Sequence, residues 1–301
     1  MKKLLIFTLS SILCFSLIIP VKAQDHFQLL FKGYDNSNHY FPKHLIKKVG
    51  HYYFTRDESY KLYYGTNKNH LKKIDQDTVD SILTNGKIAY YVKAHTPYPH
   101  PYHYQIIKVD LATGHKSIMW SSQSFFYDTF ALNTLAFKNG LLYFYYEPEK
   151  LPNMIGIYNI ETNQFTTHPV NKLFLNGNAQ YYTSIDSYPS DIASLPIYLH
   201  DQHFKKITKL TQSTQLYTKF IGDELYYDYT AVKKQNYYHT IMKYNLKTHK
   251  RTKLCHIHTA WLEEDHFSII NYSKKDVTIT YTNPPKLKHI AYHKNINLKS
   301  R

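Results

Sequence analysis

Short aromatic and β-branched runs, each bounded by Asn, Gly or acidic residues, recur along the whole chain. They are His51-Tyr52-Tyr53-Phe54, Lys87-Ile88-Ala89-Tyr90-Tyr91-Val92, Leu141-Leu142-Tyr143-Phe144-Tyr145-Tyr146, Ala179-Gln180-Tyr181-Tyr182, Glu224-Leu225-Tyr226-Tyr227 and His266-Phe267-Ser268-Ile269-Ile270. Runs of this kind between turn residues are the signature of strands and hairpins. Each follows a turn signal: Val49-Gly50, Asn85-Gly86, Asn139-Gly140, Asn176-Gly177, Gly222-Asp223 or Glu263-Glu264-Asp265. Each then leads through a polar loop to a second strand, a turn and a last strand such as Lys205-Lys206-Ile207-Thr208-Lys209-Leu210. No segment sustains a helical period, so the chain is predicted to be all-β, with one or two helical turns at most in residues 75–82.

The second strand ends in a repeated phrase. Its clear copies are Val109-Asp110-Leu111-Ala112-Thr113, Tyr158-Asn159-Ile160-Glu161-Thr162 and Tyr244-Asn245-Leu246-Lys247-Thr248. Degenerate copies stand at Tyr64-Gly65-Thr66, His200-Asp201-Gln202-His203 and Thr282-Asn283-Pro284, and the six anchors (Gly65, Asp110, Asn159, Asp201, Asn245, Asn283) are 45, 49, 42, 44 and 38 residues apart. A period in the forties built from short strands predicts a β-propeller. Six four-stranded blades fit the count, and the extra length of residues 125–137 would accommodate a seventh. Asp or Asn suits the anchor because its side chain caps a tight turn through bonds to the backbone. The strand-like stretch His26-Phe27-Gln28-Leu29-Leu30-Phe31 is expected to complete the last blade and so close the ring.

With the phrase "apolar, x, Asp/Asn, Leu/Ile, x, Thr" after an aromatic strand, the chain resembles bacterial six-bladed β-propellers of the TolB-like and YWTD-like kind. It departs from the second at the motif itself, with Tyr-Tyr pairs where that family has Tyr-Trp-Thr-Asp. The resemblance implies an extracytoplasmic binding or scaffold module, a minority of such propellers being enzymes.

The first 23 residues read as a signal peptide: Lys2 and Lys3, a mostly apolar run from Leu4 to Pro20, then Val21-Lys22-Ala23, with cleavage expected after Ala23. Residues 24–301 then form one propeller domain, secreted or otherwise outside the cytoplasm, whose single cysteine, Cys255, excludes an internal disulfide. The leader carries three of the 37 basic residues and none of the 22 acidic ones, which leaves a net charge of +12 on the mature chain. Such a surface attracts polyanions: wall polymers, acidic glycans or, peripherally, anionic lipid headgroups. Export and the lack of recognition motifs argue against nucleic acid.

Three groups of residues are candidates for chemistry. The first is the Pro-stiffened stretch from residue 95 to residue 104, where His95, Tyr98, His100, Tyr102, His103 and Tyr104 offer donors and stacking faces for a ligand. The second is the set of Tyr pairs, one ring of each expected on either face of its strand, so that half pack between blades and half face loops or solvent. The third is His256 and His258, at i and i+2 on one strand face, weak candidates for a transition metal. No cofactor is expected, since the sequence has no phosphate-binding Gly loop, Gly-x-Ser-x-Gly elbow, His-Glu-x-x-His or Cys-x-x-Cys.

These features point to a monomeric, non-catalytic binding or scaffold protein of the cell envelope or beyond, recognising a polyanionic glycan or a protein partner. The alternative is a carbohydrate-active lyase or hydrolase with a His/Tyr site in the central funnel.

Overall fold

The computed structural model describes residues 27–31, 46–57, 61–95, 102–124, 132–148, 152–186, 195–213, 218–233, 236–260, 266–269, 276–282 and 292–297. Strand follows strand throughout, and no helix occurs among these residues. The first sheet is β2 (Lys47–Val49), β3 (Tyr52–Arg56), β4 (Leu62–Asn67) and β5 (His70–Lys73). The second runs β6 (Thr78–Thr84), β7 (Ile88–His95), β8 (Tyr102–Asp110) and β9 (Lys116–Ser124), with β1 (Gln28–Leu30) added beside β6. The third is β10 (Leu132–Lys138), β11 (Leu141–Tyr146), β12 (Met154–Asn159) and β13 (Phe165–Pro169). The fourth is β14 (Leu173–Gly177), β15 (Tyr182–Ile185), β16 (Leu195–His200) and β17 (Lys206–Ser213), and the fifth is β18 (Thr218–Ile221), β19 (Glu224–Lys233), β20 (Asn236–Asn245) and β21 (Arg251–Ala260). A sixth sheet contains β22 (His266–Ile269), β23 (Asp276–Thr282) and β24 (Tyr292–Asn297). Among the described residues every pairing is antiparallel, and all but β1 with β6 join chain neighbours.

The core lies between sheets. One apolar cluster joins the first sheet to the second, another the second to the third, and a large one spans the third to the fifth. A sheet covered on both faces has no solvent side, which corrects the expectation for the Tyr pairs of the second, third and fifth sheets, while Tyr52, Tyr53 and Tyr181 are half-buried. Tyr90, Tyr91, Tyr145, Tyr146, Tyr226 and Tyr227 are all buried. Tyr91 enters the cluster shared with the first sheet while Tyr90 enters the one shared with the third. Strand alternation does send the two rings to opposite faces, but both faces are interfaces.

The anchors are turn caps. Asp110 Oδ1 accepts from the Thr113 N–H at 2.8 Å, Asn159 Oδ1 from that of Glu161 at 2.9 Å, and Asn245 Oδ1 from that of Thr248 at 2.7 Å. The residue after the anchor is buried and ties its N–H to the preceding hairpin turn: Leu111 to Lys87 O, Ile160 to Gly140 O and Leu246 to Asp223 O, at 2.8–2.9 Å. In the first sheet the cap is Asn67, whose Oδ1 accepts from Asn69 N at 3.0 Å, so the anchor there lies two residues beyond Gly65. Asn283 lies outside the described residues.

Three further expectations are corrected. Residues 78–84 are strand β6, not helix, because Val79, Ile82 and Leu83 are needed in the seams on either side of the second sheet. The fourth sheet turns at residues 178–181, where Asn178 Oδ1 accepts from Gln180 N and Tyr181 N and Ala179 has φ +68°, so its second strand starts only at Tyr182. The N-terminal strand does not complete the last sheet. β1 pairs with β6 in the register Leu29↔Leu83, where Leu30 is buried with Val79 and Ile82. Phe27, just before it, packs its ring 5.9 Å from those of Tyr90 and Phe137. The apolar edge beside β6 thus captures the strand that the repeat count assigned elsewhere.

A buried polar node sits in the first seam. Asp75 receives the Tyr91 hydroxyl at 2.6 Å, the Lys93 ammonium at 3.3 Å, the Lys116 ammonium at 3.1 Å and the Asp77 N–H at 3.1 Å. Burial opposes its ionisation, but these donors outweigh it and hold the carboxyl well below the usual carboxylate range. Tyr91, pushed up by burial and by Asp75, keeps its proton and donates.

Candidate functional site

The stretch expected to bind ligand is divided by the structure. His95 ends β7 opposite His103 of β8, Tyr102 pairs with Ser124 of β9, and Tyr98 and His100 lie outside the described residues. Tyr104 is a core residue: it is 2% exposed, and its ring meets that of Tyr146 edge-on at 6.2 Å. β7 and β8 continue as a paired ladder as far as His95 and His103, which carries Tyr104 into the seam with the third sheet. His256 and His258 stand opposite Thr240 and Tyr238 on β20. Among the described residues no three His, Cys, Asp or Glu side chains come together to hold a metal ion.

The described residues do build a cleft elsewhere. It lies between the outer strand of the third sheet and the turn after β16, has a volume of about 350 Å³, and is lined by Pro152, His168, Pro169, Val170, Asn171, Lys172, Phe174, His200, His203 and Phe204.

Its shape follows from an irregularity in the repeat. At Asp110, Asn159 and Asn245 the anchor N–H bonds the carbonyl five residues on (His115, Gln164, Lys250), whereas at Asp201 it bonds Lys205, four residues on. This turn is one residue shorter. It also lacks the buried apolar residue after the anchor, having the exposed Gln202 instead. Phe204 takes over that role from a left-handed conformation, φ +62°, with its ring 4.8 Å from Tyr182, 5.7 Å from Phe174 and 5.6 Å from the His168 imidazole. A left-handed residue with a Cβ costs about 1–2 kcal/mol, which these ring contacts offset. The shortened turn thereby leaves His203 exposed at the rim, across from His168 on β13.

Below the rim, His200 is 3% exposed and fully engaged. Its Nδ1 lies 3.0 Å from Phe204 O and its Nε2 2.7 Å from Ser184 Oγ. A carbonyl only accepts, so Nδ1 carries the proton and Nε2 accepts from the serine hydroxyl. Burial lowers the His200 pKa, which keeps the ring neutral. A serine donating to an imidazole has the geometry of a nucleophile and its base. Here, however, Ser184 is 0% exposed and the ring is oriented by a backbone carbonyl, so the pair stitches β15 to β16 and orders the Phe204 turn.

Ser184→Ala is accordingly expected to cost about 1–2 kcal/mol, the penalty for a buried acceptor left without its donor. The pH dependence follows from His200. The unfolded imidazole takes up a proton near pH 6.5 while the folded one resists, so its contribution to stability is present above about pH 6.5 and is lost as pH falls further. Urea midpoints of both proteins at pH 7.5 and 5.5 check both statements.

The remaining polar side chains of the cleft are the His168 and His203 imidazoles, the Asn171 amide and the Lys172 ammonium. Lys172 pairs with Asp186, which also accepts from the Tyr198 hydroxyl at 2.9 Å, and the Lys172 contact holds the Asp186 carboxyl low. The Lys172 and Lys206 ammonium groups stand 4.8 and 4.2 Å from the centre of the Tyr198 ring. No carboxylate lines the cleft itself. Unusual composition does not mark this site in the sequence; the signal available was the degenerate fourth copy of the phrase, with His200 where the clear copies have Val or Tyr and His203 where they have Ala, Glu or Lys.

No family model and no curated protein matches the sequence. Among solved structures, one from a study of two prolyl endopeptidases has a TM-score of 0.50 at 9% identity, covering 85% of this chain and 41% of its own. TolB from Acinetobacter baumannii has a TM-score of 0.40 at 13% identity, covering 81% and 60%. The β-propeller domain of the Trilobed protease from Pyrococcus furiosus has one of 0.44 at 11% identity, covering 71% and 68%. Consecutive four-stranded antiparallel sheets, packed face to face through apolar seams, decide the architecture. The fold is a β-propeller. The chain spans only about two fifths of the prolyl endopeptidase structure, and what it shares with these proteins is the scaffold. In this propeller the cleft lies between the third and fourth sheets, with Phe174 of the first strand β14 in its lining, and the first strands approach one another in the order β6, β10, β14, β18.

Proposed function

We propose that the protein is an exported, non-catalytic binding module that recognises a polyanionic polymer of the cell envelope or its surroundings. The observation that carries this reading is the lining of the cleft, which offers the N–H groups of His168, Lys172 and His203 and no carboxylate, on a chain with 37 basic and 22 acidic residues. The leader-like first 23 residues support export. In the reading proposed here, the dispersed lysines supply long-range attraction and the cleft supplies short-range selection.

The test is binding of the protein to purified anionic wall polymer over a salt series. Binding is expected at low ionic strength and falls steeply as salt rises, because exposed charge attraction is screened within about 10 Å at 0.1 M salt. Absence of binding at low ionic strength, or affinity indifferent to salt, overturns the reading. Release of shorter or unsaturated sugars during the same incubation would instead favour the lyase or hydrolase alternative.

A further inference from the structure

We propose that the cleft between the third and fourth sheets binds a carboxylate-bearing sugar, a uronate unit of an anionic glycan. This deepens the binding reading above and rests on it.

Charge is the first argument. The exposed imidazoles of His168 and His203 line the cleft together with Lys172, and the neighbouring carboxylates are already held, Asp186 by Lys172 and Tyr198 and Asp201 by the N–H groups of His203 and Lys205. A ligand carboxylate entering here meets N–H donors in a lining that has no carboxylate of its own. His203 Nε2 lies 3.1 Å from the Gln202 side-chain amide nitrogen, which donates to it and leaves Nδ1 as the outward donor.

Shape is the second. The walls present flat apolar faces, the Phe204 ring and Pro169, beside the His168 ring that packs on Phe204. Faces of this kind suit the C–H side of a sugar ring while the imidazoles address its polar edge. A volume of about 350 Å³ falls at the small end of the range for small-molecule sites. An acidic peptide added as a strand would need a free edge several residues long, and β13 ends at Pro169, which has no N–H to offer.

The support is preorganised. His200, locked between Ser184 and the Phe204 carbonyl, holds the short turn that presents His203, so little ordering remains to be done on binding.

The experiment is isothermal titration of the full-length protein with a galacturonate trimer, with maltotriose as the neutral counterpart and a Glu-rich peptide as the acidic control. The trimer is expected to bind and maltotriose not to. His168→Ala and His203→Ala should each weaken the trimer about tenfold, the loss of one hydrogen bond to a charged group. His203→Glu, which places a carboxylate at the rim, should abolish binding. Both His203 variants alter an exposed side chain, so unchanged Tm values certify their fold. Equal affinity for maltotriose, tighter binding of the peptide, or trimer affinity unmoved in the His203 variants overturns the proposal. If those variants, or a wild type blind to the trimer, still bind wall polymer in the salt series, the cleft assignment alone has failed. If wall polymer is not bound either, the binding reading fails with it.

Discussion

Asp75→Ala is expected to destabilise the propeller by about 3 kcal/mol, the low end of the range for removing one partner of a buried ion pair. The residue is 7% exposed, and its removal strands the buried Tyr91 hydroxyl in the seam between the first and second sheets and leaves the Lys93 ammonium, itself 12% exposed, with Asp77 at 2.8 Å as its remaining carboxylate. Lys116 is the weak member of the node. Its side chain is 42% exposed, so solvent screens the contact, and Lys116→Ala should cost less than about 1 kcal/mol. Asp75→Asn, which keeps an acceptor for Tyr91, should fall between the two. The pH dependence has a definite sign. Because the folded carboxyl is held below its ordinary value of about 3.9, the node stabilises the fold fully above that pH and progressively less as pH falls below it. The gap between wild type and Asp75→Ala in urea midpoint, with the slope of the transition unchanged, should therefore narrow below about pH 4. A gap that widens on acidification would show that Asp75 is not ionised in the fold.

The other large effect is expected at Phe144. Its ring is 0% exposed and sits in the seam between the second and third sheets, with ring centres 5.5 Å from Trp120, 5.6 Å from Tyr146 and 5.9 Å from Phe165. Phe144→Ala should cost about 3–5 kcal/mol, transfer and cavity together. Across the β11–β12 ladder Phe144 faces Gly156, where an added Cβ would stand 2.6 Å from the Phe144 ring and 2.9 Å from that of Phe165. Gly156 is therefore required by space rather than by φ. Gly156→Ala alone should cost about 1–3 kcal/mol through overpacking, and most of that cost should vanish in the Phe144→Ala background. Urea unfolding of the two single variants and the double variant closes the cycle, and purely additive costs would contradict the packing described here.

Both sites show how far local sequence can be read. Tyr91 and Phe144 are recognisable as strand residues from their aromatic runs and the turn signals before them. That both members of the pairs Tyr90-Tyr91, Tyr145-Tyr146 and Tyr226-Tyr227 are buried is not, because alternation states only that neighbouring side chains point to opposite faces. What covers those faces depends on neighbouring sheets, as with Phe54 and Leu62 against Tyr91 and Phe174 and Tyr182 against Tyr145. The same holds for residues 75–82, where a polar stretch with scattered apolar residues suits a helical turn as well as a strand until the seams on either side claim Val79, Ile82 and Leu83. The candidate cleft was still less legible. Its imidazoles come from β13 and from the turn after β16, and only the packing of two sheets places them together.

The sequence by itself determined the all-β class, the repeat period and the Asp/Asn anchors, because turn capping and strand alternation are decided by residues within a few positions of one another. The tertiary structure alone decided where β1 docks, which faces of the sheets are seams, and how one shortened copy of the repeated phrase opens a cleft. These are outcomes of competition among apolar surfaces distant in the chain. The winner of such a competition is set by the area and shape that each partner offers, which no local pattern records.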